Sequence, residues 1–226
     1  MQIKGLVFDF DGLILDTEGP SYRSWEEIFV SYQTSLPLSE WNSCIGSSFD
    51  AFDPFTYLKT KVNCPLDEKE IRARALQRST ELVKSKQPLP GVLNMINEAH
   101  QHGIKTALAS SSDRAWINML INHLNLSHDF EIILTADDVS QVKPDPELYS
   151  RAVQELDILP EEAIAFEDSP NGAKAAKSAG LYCVVIPNQM TKSLFFEETD
   201  LTISSLSLYS LKEIIHKVTQ NGHFID

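Results

Sequence analysis

Apolar residues recur along this 226-residue chain in two rhythms. Short runs that are apolar at nearly every position fall at 4–8, 105–109, 131–134, 163–166 and 182–186, with a weaker one at 201–203. Continuous runs of that length mark strands covered on both faces, as in a parallel sheet. Between them the apolar residues take helical spacing. A helix over 93–102 stops at Gly103, a residue suited to the left-handed position after a helix end. Asp145-Pro146 reads as N-cap and first residue of a helix running to Glu155. Ser169-Pro170 repeats the signature, and its helix reaches Gly180. Strand and helix alternating in this way predict a doubly wound, Rossmann-like α/β sheet.

Residues 19–86 break the alternation. They carry helical patterning throughout, clearest at 22–32 and 67–86, where Ile71, Ala75, Leu76, Leu82 and Val83 share one spacing. Pro88-Leu89-Pro90-Gly91 ends the stretch and the α/β pattern resumes. The expected organisation is an α/β core domain from 1–18 and 87–226 and an inserted all-helical cap domain at 19–86. An insertion after the first strand sits over the carboxyl edge of the sheet, where open α/β sheets place ligands.

Composition narrows the partners. A net charge of −13 argues against nucleic acid and anionic membrane surfaces as partners, since both select basic proteins. Cys44, Cys64 and Cys183 lack CxxC spacing and read as reduced thiols. The N-terminus has no signal-peptide order and no run is long enough to cross a bilayer, so a cytoplasmic protein is expected, a monomer or weak homodimer.

The chemistry gathers at strand ends. The first run ends in Asp9 and Asp11, the second in Ser110, the fourth in Glu167 and Asp168, while Lys143 heads Lys143-Pro144-Asp145-Pro146. In a parallel sheet these all reach one edge. Ionised carboxylates among apolar residues are costly unless paired. Hard carboxylate oxygens suit Mg²⁺, and Lys143 adds a second cation. Ser110, followed by Ser111, Ser112 and Asp113 where a helix begins, suits a phosphate cradle. A carboxylate can attack phosphorus, and a second carboxyl two residues on can manage protons; Asp9 and Asp11 fit those parts. Gly12 lets the backbone turn tightly beside the reacting group.

Plainer readings stand beside these. As an isolated pair, Asp9 and Asp11 would be polar strand ends; the other polar ends at the same edge weigh against that. Ser111 or Ser112 could serve as a helix N-cap. Trp25, Trp41 and Trp116 read as packing residues, with Trp25 or Trp41 as exceptions if the cap sets specificity. Asp137-Asp138 reads as a solvated turn, or as support for Lys143. The histidines at 100, 102, 123, 128, 216 and 223 lie outside these motifs, which argues against a Ser-His-Asp triad or a zinc cluster.

Asp9-Phe10-Asp11-Gly12 with Asp16-Thr17, then Ser110, Lys143-Pro144 and Glu167-Asp168, resembles the four motifs of the haloacid dehalogenase superfamily in order and spacing. Pro90-Gly91 and Asp168-Ser169-Pro170-Asn171-Gly172 point to the subgroup of sugar-phosphate phosphatases and β-phosphoglucomutases. The resemblance spans essentially the whole chain. It implies Asp9 as nucleophile, Asp11 as general acid/base with its carbonyl on Mg²⁺, and Ser110, Ser111, Gly12 and Lys143 around the phosphoryl group. Asp168, supported by Glu167, would join Asp9 and Asp11 at the metal; Thr17 and Glu18 would form the hinge toward the cap.

A Mg²⁺-dependent phosphatase acting on a small phosphorylated metabolite is the expected activity, and a phosphomutase the alternative. Mutases of the β-phosphoglucomutase type carry His where this chain has Ser21, and Arg three residues after a Gly matching Gly46, where this chain has Phe49. Both departures disfavour the mutase. A dehalogenase of this superfamily lacks the second Asp and needs no metal. A receiver-type signalling domain has neither the inserted cap nor an acid/base at Asp11. Specificity is assigned to residues of 19–86.

Overall fold

The sheet of this computed structural model is built from β1 (Gly5–Phe8), β2 (Lys105–Ala109), β3 (Ile132–Leu134), β4 (Ala163–Glu167), β5 (Tyr182–Val185) and β6 (Leu201–Thr202). The structure describes residues 2–41, 52–197 and 199–220. All pairings are parallel, in the order β3-β2-β1-β4-β5-β6. That is the doubly wound order, with the topological reversal between β1 and β4. Each expected strand is present, with bounds shifted by one residue where they differ.

Between β1 and residue 87 the described residues form α1 (Glu18–Ser31), α2 (Leu38–Trp41), α3 (Pro54–Lys61) and α4 (Glu68–Lys84). They bury their own apolar cluster, including Trp25, Phe29, Trp41, Phe55, Leu58 and Ile71. Asp53 and Asp67 start α3 and α4 by accepting the N–H of Thr56 and Glu70, each at 3.0 Å. The first helix begins earlier than the spacing predicted, because Pro20 falls in its first turn, where a missing N–H costs nothing.

The remaining helices cover the sheet. Leu6, Phe8, Leu108, Ile164, Phe166 and Val184 face α5 (Val92–Gln101), α6 (Arg114–His123) and α9 (Leu211–Gln220). Their strand neighbours Val7, Ala107, Ala109, Ala165 and Cys183 face α7 (Glu147–Glu155) and α8 (Pro170–Ser178). Both faces are thus buried, which explains the continuous apolar runs. Pro146 sits at the N-cap position of α7, one residue later than expected, and Asp145 accepts the Glu147 N–H at 2.9 Å. Ser169 caps α8 with Pro170 as its first residue, as read from the sequence. Among the described residues no helix is long and apolar enough to cross a membrane.

Candidate active site

Because β1 pairs with β4, the residues after Phe8 and Phe166 arrive side by side, and the Asp9 N–H donates to the Phe166 carbonyl at 3.0 Å. Lys143 reaches this point from the loop before α7. Its ammonium lies 2.5 Å from Asp9 Oδ1 and 2.6 Å from Glu167 Oε1, with all three side chains buried. The Tyr149 hydroxyl donates to the same Glu167 oxygen. The other Glu167 oxygen accepts from the Asp168 N–H at 3.2 Å and the Ser169 hydroxyl at 3.3 Å. With both oxygens engaged, Glu167 anchors Lys143. Its carboxylate lies so close over α8 that a Cβ on Gly172 would sit 2.0 Å from it.

Asp11 faces the other way, toward the start of α6. Its Oδ2 accepts from the hydroxyls of Ser112 at 2.8 Å and Ser110 at 3.2 Å, and its Oδ1 from the Trp116 indole N–H at 3.0 Å. Ser110 Oγ in turn accepts the Ser112 N–H at 3.0 Å. Ser111 is exposed at the same wall. The helix is capped by Asp113, which accepts the Trp116 N–H at 2.7 Å, and neither serine performs that task. Asp137 accepts the Arg114 N–H at 2.7 Å, and Asp138 is ion-paired with the Arg114 guanidinium. This acidic pair therefore secures the start of α6 and does not support Lys143.

Gly12, expected beside the phosphoryl group, packs closely against Asp168. Its φ of +88° and the 2.4 Å from a virtual Cβ to Asp168 Oδ2 exclude any larger residue. Asn188, just past β5, donates to Asp168 Oδ2 at 2.6 Å and to the Gly12 carbonyl at 3.2 Å.

Asp9, Glu167 and Asp168 each offer a carboxylate oxygen, and these oxygens lie within 4.8 Å of one another. Burial, aided by Glu167 and Asp11, raises Asp9 to about 8 against the pull of Lys143. Burial and the neighbouring acids hold Asp168 well above the usual carboxylate range. Burial opposes the charge on Lys143, but Asp9 and Glu167 carry its pKa above the ordinary lysine value. One lysine does not satisfy this many buried acids, and a hard divalent cation fits the donor set. Glu18 is raised to about 7 by burial and by Asp11 and Asp16.

Asp9, Asp11, Ser110, Ser111, Lys143 and Asp168 share one wall of a cavity of about 620 Å³, with Glu167 buried behind it. Thr17 and Glu18 line it where the chain leaves the sheet, and Lys86 on the returning connection pairs with Asp16 at 2.8 Å. Ser21, Ser24, Trp25, Trp41, Arg72 and Ser79 contribute the helical wall. Cys44, Gly46, Phe49 and His223 lie outside the described residues.

Sequence reasoning missed four participants. Asn188 could have been found by extending the strand-end rule to β5. From the sequence Ser112 reads as part of the cradle or as a cap, and Trp116 as packing, whereas both donate to Asp11. Tyr149 gives no local signal, since its contact with Glu167 exists only when α7 packs on the sheet.

The sequence profile of haloacid dehalogenase-like hydrolases matches residues 6–186. The protein YhcW of Bacillus subtilis (strain 168) is 43% identical over 220 residues, covering 97% of this chain and 100% of YhcW. Fructose-1-phosphate phosphatase YqaB of Escherichia coli (strain K12) is 30% identical over 186 residues, covering 80% of this chain and 94% of YqaB. The crystal structure of CbbY from Rhodobacter sphaeroides in complex with phosphate superposes with a TM-score of 0.76 at 28% identity, covering 93% of this chain and 98% of CbbY.

Proposed function

Since the chain belongs to the haloacid dehalogenase-like hydrolases, we propose that it is a Mg²⁺-dependent phosphatase that hydrolyses a small phosphomonoester, a sugar phosphate or similar metabolite, through an aspartyl-phosphate on Asp9. The observation that carries this reading is the buried Asp9 carboxylate, held at 2.5 Å by Lys143, in a cavity wall it shares with Asp11. The phosphatase activity of YqaB, stated in its name, supports the hydrolytic outcome.

In the first half-reaction an Asp9 oxygen forms a bond to phosphorus as the ester P–O bond breaks, and Asp11 gives its proton to the departing alkoxide oxygen. In the second, Asp11 takes a proton from water, the water oxygen bonds to phosphorus, and the Asp9–phosphorus bond breaks to release phosphate. Lys143 orients Asp9 and offsets phosphoryl charge, while Glu167 and Tyr149 keep Lys143 in place. Ser110 and Ser111 offer donors to the phosphoryl oxygens. Asp9, Asp168 and the Asp11 carbonyl would hold Mg²⁺, which when bound supplies positive charge against the carboxylates and the phosphoryl oxygens. Thr17 and Glu18 stand where the 19–86 cap leaves the 1–18 and 87–226 core, and the hinge is assigned to them.

The test is phosphate release from a panel of phosphorylated metabolites, with and without Mg²⁺, by the parent and by Asp9→Asn. Mg²⁺-dependent release that the variant lacks supports the reading; an active Asp9→Asn protein overturns it. β-Glucose 1-phosphate in the panel separates hydrolysis, which yields free phosphate, from a mutase, which yields glucose 6-phosphate.

A further inference from the structure

The half of the cavity away from Lys143 offers little to a second anion. Its helical wall presents the indoles of Trp25 and Trp41 and the hydroxyls of Ser21, Ser24 and Ser79. Arg72 is the cation on that wall among the described residues, and two carboxylates match its charge: Asp53 at 2.9 Å and Glu68 at 2.9 Å. Residues 42–51 contain no Lys, Arg or His, so they add no positive charge whatever path they take. Lys143 is engaged by Asp9 and Glu167. Glu18 adds a carboxyl group to the lining, and its side chain has no hydrogen-bond partner among the described residues.

We infer that Glu18 reads the body of the substrate, accepting a hydrogen bond from one of its hydroxyls and repelling a second anion. The inference rests on the phosphatase reading above and deepens it. A bound hydroxyl would satisfy an acceptor that otherwise faces the cavity alone, and substrates lacking that hydroxyl forgo the interaction. A second phosphate would lose its hydration where Arg72, the cation on that wall among the described residues, is already paired with two carboxylates, and it would meet the Glu18 carboxylate there. That is discrimination by a repulsive element as well as an attractive one.

The test compares kcat/KM at pH 8.5, where Glu18 is ionised, for a hexose monophosphate, the matching hexose bisphosphate and propyl phosphate. In the parent the hexose monophosphate should exceed each of the others by about tenfold or more. Glu18→Gln keeps an acceptor oxygen and removes the charge, so the monophosphate-to-bisphosphate ratio should fall while the preference over propyl phosphate persists. Glu18→Ala should lower the hexose-to-propyl ratio by about tenfold. A parent that prefers the bisphosphate, or Glu18 variants that leave both ratios unchanged, would overturn the inference. Should the variants fail to fold, the parent's own monophosphate-to-bisphosphate ratio decides it. A parent inactive on all three substrates and on p-nitrophenyl phosphate would instead sink the phosphatase reading, and this inference with it.

Discussion

Replacing Lys143 by methionine removes the cation from between two buried carboxylates while keeping most of the side-chain volume. Nζ lies 2.5 Å from Asp9 and 2.6 Å from Glu167, and the lysine side chain is 4% exposed. Glu167 would retain Tyr149, Asp168 and Ser169 as donors, but the Asp9 carboxylate would retain none among the described residues. Removing one member of a buried charge pair costs about 3–5 kcal/mol. In a chain of this length each kcal/mol shifts Tm by roughly 2–4 °C, so the expected drop is roughly 6–20 °C. Asp9 already stands at about 8 with Lys143 present, so at pH 5 a proton on Asp9 relieves much of the penalty. The drop should therefore be larger at pH 8 than at pH 5. Calorimetry of parent and Lys143→Met in EDTA at both pH values measures it. A variant within about 0.5 kcal/mol of the parent at pH 8 would refute the reasoning.

Gly172→Ala places a Cβ against the Glu167 carboxylate, so a loss of about 1–3 kcal/mol and of phosphate release is expected; parent-like melting and turnover would contradict the packing argument. Trp116→Phe removes one of the three donors to Asp11 and should lower kcat roughly tenfold with little change in KM, as steady-state kinetics will show. The raised values of Asp9 and Asp168 mean that the folded metal-free protein holds protons that the unfolded chain has released. Its stability should thus fall as pH rises from the ordinary carboxylate range toward about 8. The raised Lys143 contributes stability that is constant across that window, since it lies below the lysine's unfolded value. Mg²⁺ displaces the protons, so its increment in Tm should be greater at pH 8 than at pH 5; equal increments would exclude a site at these carboxylates.

Much of this architecture was legible because its signals are local. Two-sided burial writes continuous apolar runs, and parallel pairing then dictates that Asp9, Ser110 and Asp168 meet at one edge without any contact being known. The misreadings arose where tertiary context decides. The clear helical spacing begins at 22, yet α1 begins at Glu18, since Pro20 falls in the first turn where a helix tolerates it. Asp137 and Asp138 could be assigned to Arg114 only after β3 had brought them to the start of α6. Trp116 carries an apolar ring and a single donor, and whether the donor matters depends on what faces it; here it is Asp11. The pairing of Arg72 with Asp53 was likewise invisible, because Asp53 lies a helix away in sequence.

The central claim is that Asp9 carries the phosphoryl group. Asp11→Asn lacks the proton manager, but acetyl phosphate has a leaving group that departs without protonation, so it should phosphorylate the variant and stall there. After acid quench, borohydride reduction and digestion, mass spectrometry should find homoserine in place of Asp9. Phosphate release with Asp9 unmodified, or a phosphoryl group on any other residue, would contradict the account.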